Sequence, residues 1–401
     1  MTLPWQMQML LSIITLNDSD NNGIRLYKIM IENLRLNIKN TIGWKTKRKI
    51  VVFSVDDYGN VRLNSIKARE NLDKAGAKIY NHFDQYDSLE TTEDLEVLYE
   101  TLSSVKDKNG KHPIFTALAL PCNLDFEKII DSNYSQFFYE ELPQTFAKLK
   151  GYENTWDLWK EGIQKKFLMP QFHGREHINL KIFNEKLAEK DVITLTAIKN
   201  RSYTSIENTK YPTISTAAAF DFWEFEENLE FENIIEDGIK LFHKNFGSKP
   251  TYFTPPAAAE HPCLHKKLSE MGIEYIDSPL VKKYHLGLGK YKTKINYTGK
   301  KNKLGQTYIV RNCFFEPSSR RDIDWVEFTL RQIKVAFNWN KPAIISSHRV
   351  NFSGHIDEDN RKNGIDNLNK LLKEIVKKWP DVEFMSTNQL GDLIVNKENY
   401  F

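Results

Sequence analysis

Two adjacent acids, a histidine pair and a lone histidine are the residues of this 401-residue chain whose types and spacing could do chemistry. Asp56 and Asp57 close the apolar run "KIVVFSV" (49–55) and precede Gly59. Two like charges held at one buried strand end repel each other unless something positive lies between them. A divalent cation would take one acid as a ligand and leave the other ionised as a base. The competing reading is a turn, with Asp57 as the N-cap of a helix beginning near Val61. His173 and His177, in "HGREH", are four positions apart. On a helical turn they share a face and can converge on one ion, although such pairs also occur as surface and capping residues. With Asp57 they would complete the two-histidine, one-carboxylate set of a catalytic zinc, which keeps a fourth position for water. His348 follows "PAIISS" and serves either as a structural hydrogen-bonding group or as an acid/base.

These residues need elements to hold them. "KIVVFSV" (49–55), "HPIFTALAL" (112–120), "FLMPQF" (167–172), "PTYFTPP" (250–256), "IEYID" (273–277), "TYIVRN" (307–312), "PAIISSHR" (342–349) and "VEFMS" (382–386) have strand length and composition. Between them lie helical stretches, among them 64–76, 91–107, 227–247 and 322–339. The alternation predicts a parallel sheet with βαβ crossovers, open or closed into a barrel. In such sheets the chemistry gathers where strand C-termini meet their loops, and all three groups above follow strand signals. Residues 123–166 are helical and rich in aromatics, read mainly as core. The lysine-rich segment 282–303 reads as a solvated loop rather than an anion site.

Composition narrows the class. The chain is 40% hydrophobic and 12% aromatic with a net charge of +3, so it is globular, and nothing in it calls for a nucleic-acid partner. Three scattered cysteines, with no CxxC pair, argue against a disulfide framework or a cysteine zinc site and fit a reducing, cytoplasmic compartment. The apolar run at 6–15 is too short to span a membrane and lacks the flanks of a signal peptide. Met30 opens an amphipathic basic stretch, so residues 1–29 read as an upstream extension of the reading frame. Residues 1–47 are expected to be partly disordered or helical, and 48–395 a single domain. Nothing in the sequence points to an oligomeric state.

The order of these motifs resembles the polysaccharide deacetylase family (NodB homology, carbohydrate esterase family 4). "FSVDDYG" is similar to its first motif, "HGREH" to its second, "FTPPA" to its third, "DIDW" to its fourth and "IISSH" to its fifth, covering about residues 48–395. The resemblance implies an irregular (β/α)7 barrel, here with a helical, aromatic-rich insertion at about 80–166, between the first and second motifs. It implies a divalent metal, most often Zn2+, on Asp57, His173 and His177, with Asp56 as the base that deprotonates a metal-activated water. That water would attack an acetyl group on an N- or O-acetylated sugar. The backbone N–H of Tyr58 would then face the oxyanion and His348 would protonate the leaving group. The family's third motif normally brings an arginine to the catalytic base. None stands near Phe253–Pro256, so Arg175 is the expected substitute. Asp322 or Asp324, beside Trp325, would support the histidine, and Glu176, Pro256 and Glu260 are further candidates near substrate. A glycoside hydrolase on the same barrel, or a carbohydrate-binding relative without catalysis, is the alternative.

Overall fold

A computed structural model describes residues 34–78, 81–203, 208 and 210–396. The apolar run at 6–15 and Met30 lie outside the described residues. Among those described, the strands are β1 (Lys49–Tyr58), β2 (Phe115–Ala119), β3 (Cys122–Leu124), β4 (Tyr139–Glu141), β5 (Leu168–Phe172), β6 (Tyr252–Phe253), β7 (Tyr275–Asp277), β8 (Val281–His285), β9 (Tyr291–Ile295), β10 (Thr307–Ile309), β11 (Cys313–Phe314), β12 (Ala343–His348) and β13 (Val382–Met385). Nine of them form one sheet in the order β10-β7-β6-β5-β2-β1-β12-β11, with β13 also paired to β1. Every pairing in it is parallel. The fold is α/β, as the alternation predicted: the sheet curls into a half-barrel covered by helices, and its hydrogen-bonded path ends at β10 and β11.

β1 joins three strands of this sheet. Along one side it pairs with β12 from Val51 to Asp56. Its other side is divided: β13 takes Lys49–Val52, and β2 takes Phe53–Tyr58. With both faces covered, every residue after Lys49 is buried, which is why the strand reads as a continuous apolar run instead of an alternation. The helices are set by their caps. Thr91 and Asp94 form a capping box at the head of Thr92–Ser103, Asp357 caps Glu358–Lys378, and Gly247, at φ 74°, ends Asn228–Phe246. Their buried faces meet the sheet in one core that includes Leu98, Leu102, Ile235, Phe242, Leu368 and Leu372.

Two expectations change. Residues 282–303 are not simply a loop: β8 and β9 form an antiparallel hairpin running from Val281 opposite Ile295 to His285 opposite Tyr291. The lysines had hidden a strand alternation, in which Lys282 and Tyr284 turn inward while Val281 and Lys283 face solvent. The span 80–166 is also not one insertion, because β2 passes through it and pairs with β1 and β5. The aromatic helices that follow are core. Trp159 is fully buried, with its ring 5.4 Å from Phe246 and edge-on to Tyr58 at 5.6 Å. Among the described residues no helix is long and apolar enough to cross a membrane, and all three cysteines are free thiols.

Candidate metal centre

Successive strand residues point to opposite faces, so two neighbouring acids should not share one site. Asp57 breaks that rule through its backbone. Its φ is 73°, in the left-handed region, and the β1–β2 register shifts between Val55 and Tyr58. Aspartate is among the few residues that enter this region readily. The kink lets Asp56 and Asp57 both border one cavity of about 320 Å³, with Arg62, Phe83, His173, His177, Arg311 and His348. No helix starts near Val61; the next one is Ile66–Lys74, capped by Ser65, so Asp57 is not an N-cap.

"HGREH" is not helical either: His173 directly follows β5, and the segment continues as a loop. The turn depends on Gly174, at φ 106°, where a Cβ would meet the Glu176 carbonyl at 3.2 Å and Pro256 Cγ at 3.3 Å. It brings the two imidazoles to a centroid separation of 5.2 Å. His173 Nε2 lies 3.4 Å, and His177 Nε2 3.1 Å, from Asp57 Oδ1, and all three side chains are buried. His173 Nδ1 is 2.8 Å from the Thr254 carbonyl, which can only accept, so Nδ1 carries the hydrogen. In the neutral ring, the Nε2 lone pair therefore faces a carboxylate oxygen, acceptor against acceptor, and Nε2 has no hydrogen-bond partner. A cation among these three groups would relieve that contact, and their atoms lie within 4.8 Å of one another. The donor set fits zinc, and the Thr254 carbonyl would be the outer partner that fixes a ligating imidazole. Burial would raise the Asp57 carboxyl, but the neighbouring imidazoles outweigh it and hold it well below the usual carboxylate range. Burial lowers His177 despite Asp57, favouring the neutral ring that ligates. The other carboxylate cluster, Asp125, Glu127 and Glu140, already faces Lys148, with Lys128 and Arg201 alongside.

Asp56 is gripped by Arg311, whose Nη1 lies 2.8 Å from both carboxylate oxygens. Arg311 Nη2 donates to Asp277 Oδ2 at 2.9 Å, and the Tyr252 hydroxyl donates to Asp277 Oδ1 at 3.1 Å. Three strands thus meet behind one carboxylate. His348 sits opposite Asp56 in the β1–β12 register, with Nε2 3.5 Å from Asp56 Oδ2. Its Nδ1 is 2.7 Å from Glu316 Oε1, and Asn351 Nδ2 donates to Glu316 Oε2 at 2.7 Å. Burial disfavours the imidazolium, but Glu316, Asp56 and Asp57 prevail and raise the His348 pKa to about 10. Glu316→Gln removes the nearest of these charges. If protonated His348 is the working form, the basic limb of the pH–rate profile is expected to move to lower pH by roughly 1–3 units. A limb that stays in place would separate Glu316 from His348.

The remaining expectations are placed differently. Arg175 does not reach Asp56: its guanidinium is taken by Glu176 (2.5 Å) and Asp237 (2.8 Å) and lies over the Tyr139 ring. Glu176 is correspondingly turned to Arg175. Asp324 caps the Trp325–Asn338 helix through the Glu327 amide, Asp322 pairs with Arg320, and the Trp325 indole donates to the Arg320 carbonyl. None of the three contacts His348. Pro256 packs against Gly174 and opens the turn whose Ala257 and Ala258 line the cavity. Glu260 is buried against Lys282. Tyr58 buries its ring, and its carbonyl accepts from Leu120. Sequence reasoning missed Arg311 and Glu316. The available signal was their position, each just past a strand end.

The loop after Asp57 is braced from behind. Glu90 accepts from the Gly59 amide and the Trp159 indole, Asn123 bonds both the Val61 amide and the Gly59 carbonyl, and Arg349 reaches the Asn60 carbonyl, Glu90 and Asp87. Arg349 is 1% exposed and follows His348 directly, so it ties the two halves of the site together.

No protein-family model matches the chain, and no curated protein matches it. Several solved structures are similar to it. A 4-alpha-glucanotransferase from Thermococcus litoralis shares 12% identity at a TM-score of 0.45, over 88% of this chain and 41% of that one. A probable polysaccharide deacetylase from Pseudomonas aeruginosa PAO1 shares 9% at 0.44, over 88% and 93%. Puue allantoinase shares 10% at 0.43, over 89% and 94%.

Proposed function

We propose that the protein is a metal-dependent hydrolase that removes an acetyl group from an N- or O-acetylated sugar. The observation that carries this is one cavity bordered by a buried Asp-His-His set, an arginine-held second aspartate and a carboxylate-backed histidine. Asp57, His173 and His177 would hold a divalent ion, with Zn2+ first choice for two nitrogens and one oxygen. Such an ion, when bound, supplies Lewis-acid polarisation of a carbonyl and acidifies a water. The protein's own groups would do the rest. Asp56, oriented by Arg311, takes the proton of the attacking water. The Tyr58 amide faces the oxygen on which charge develops. His348 donates from Nε2 to the departing nitrogen or oxygen, while Glu316 balances its charge. In this reading the chain works in the cytoplasm, where its free thiols stay reduced.

The test is acetate release from acetylated oligosaccharides by protein stripped with a chelator and reloaded with Zn2+. Release that disappears on stripping and returns on reloading is expected. Release indifferent to chelation, or new reducing ends in place of acetate, would overturn the assignment.

A further inference from the structure

Arg62 carries the substrate question further. It borders the same cavity, with its side chain only 5% exposed. Its Nε donates to Asp87 Oδ2 at 3.2 Å, and its guanidinium lies over the Phe83 ring, 5.2 Å from the centroid. Phe83 in turn stands edge-on to His348 at 4.9 Å, so Arg62 and the histidine share one wall of the cavity. Asp87 cannot satisfy Arg62 alone, because Arg349 Nη2 takes its other oxygen at 2.6 Å. Among the described residues nothing accepts a hydrogen bond from Arg62 Nη1 or Nη2. Neither nitrogen is sealed off: both open onto the cavity, where water serves them until a ligand that can accept from both takes its place.

We propose that Arg62 receives a carboxylate of the substrate, so that the acetylated sugar belongs to an anionic, uronate-type glycan. This rests on the deacetylase reading and names its substrate class. The planar guanidinium fork matches a carboxylate two-pronged. A doubly charged phosphate would be repelled more strongly by Asp56 and Asp57. A second cavity, of about 310 Å³, shares Ala257 and Ala258 with the first. It is lined by Asp221, paired with His285, and by Glu260, and its far wall is the β8–β9 hairpin, where residues 281–295 hold five lysines and no carboxylate. Lys282 is consumed by Glu260 and the Ala258 carbonyl, but Lys283 lines the cavity from an exposed position. A glycan chain passing from the first cavity to the second would meet a positive charge in each.

The test is calorimetric titration of the full chain with a galacturonate tetramer and with a neutral N-acetylglucosamine tetramer. Both titrations use chelator-stripped protein, so that neither the uronate, which carries no acetyl group, nor the acetylated neutral tetramer is turned over. The uronate is expected to bind roughly tenfold or more tightly than the neutral oligomer at low salt, and Arg62→Gln is expected to close most of that gap. If that variant does not fold, Arg62→Lys keeps a charge for Asp87 but loses the fork, and the gap should narrow there too. Equal affinities in the wild type, or a gap that survives both substitutions, overturns the proposal. Selective uronate binding without acetate release would leave it standing and remove the deacetylase assignment. Acetate release from the neutral oligomer without uronate selectivity would do the reverse.

Discussion

Asp56→Asn is expected to lower acetate release by roughly 10²–10⁴-fold, the usual contribution of a general base, while metal content stays at the wild-type level. The amide has the shape of the carboxylate but cannot take a proton from water. Arg311 keeps its second partner, since Nη2 remains on Asp277, so the arginine is not stranded. Asp57 and its two imidazoles are untouched. Turnover should therefore collapse with little change in the melting curve. The paired measurements are kcat and elemental analysis on the same preparation. A fully loaded variant within tenfold of wild type would remove Asp56 from the base role, and loss of metal would mean that Asp56 is itself a ligand.

The second large effect concerns His173. With alanine there, the ion is expected to lose a ligand and the site its contact to the Thr254 carbonyl through Nδ1. Changes in outer partners alone typically cost 10–100-fold in affinity, and a direct ligand should cost more. The readout need not be catalytic. Wild-type protein should gain about 2.7 kcal/mol of stability at roughly 100 times the Kd of Zn2+, visible as a rise in melting temperature, and His173→Ala should gain almost none over the same range. Undiminished metal-induced stabilisation in the variant would move the site elsewhere.

Much of this was legible in the sequence, and the parts that were not share a physical cause. β1, β5 and β12 announce themselves as apolar runs because central parallel strands are buried on both faces. The residues at or just past their ends, Asp56, Asp57, His173 and His348, were legible for the same reason: charge at the end of such a run is conspicuous. Glu316 follows a strand of only two residues, too short to make a pattern, and Arg311 lies inside the run "TYIVRN" (307–312), whose strand ends earlier, at Ile309. Their partners are also remote in sequence: Arg311 is 255 positions from Asp56, and Glu316 is 32 from His348. Local reasoning supplied nearer substitutes, Arg175 and Asp324. Each already has a local duty, one with Glu176 next door and the other at a helix start. The left-handed Asp57 was not legible, because it is a property of how β1 meets β2.

The divided side of β1 has a consequence for biosynthesis. Its first half, Lys49–Val52, is flanked only by β12 and β13, both from the last sixty residues. Val51 and its partner Ala343 are about 290 positions apart. At translation rates of about 5–20 residues per second, this apolar strand leaves the ribosome roughly 15–60 s before its partners exist. Over that interval its backbone donors and acceptors are open to any other nascent strand. β1 thus needs cover while the chain is being made, and neither Asp56 nor Asp57 meets His348 until about 290 further residues have been added.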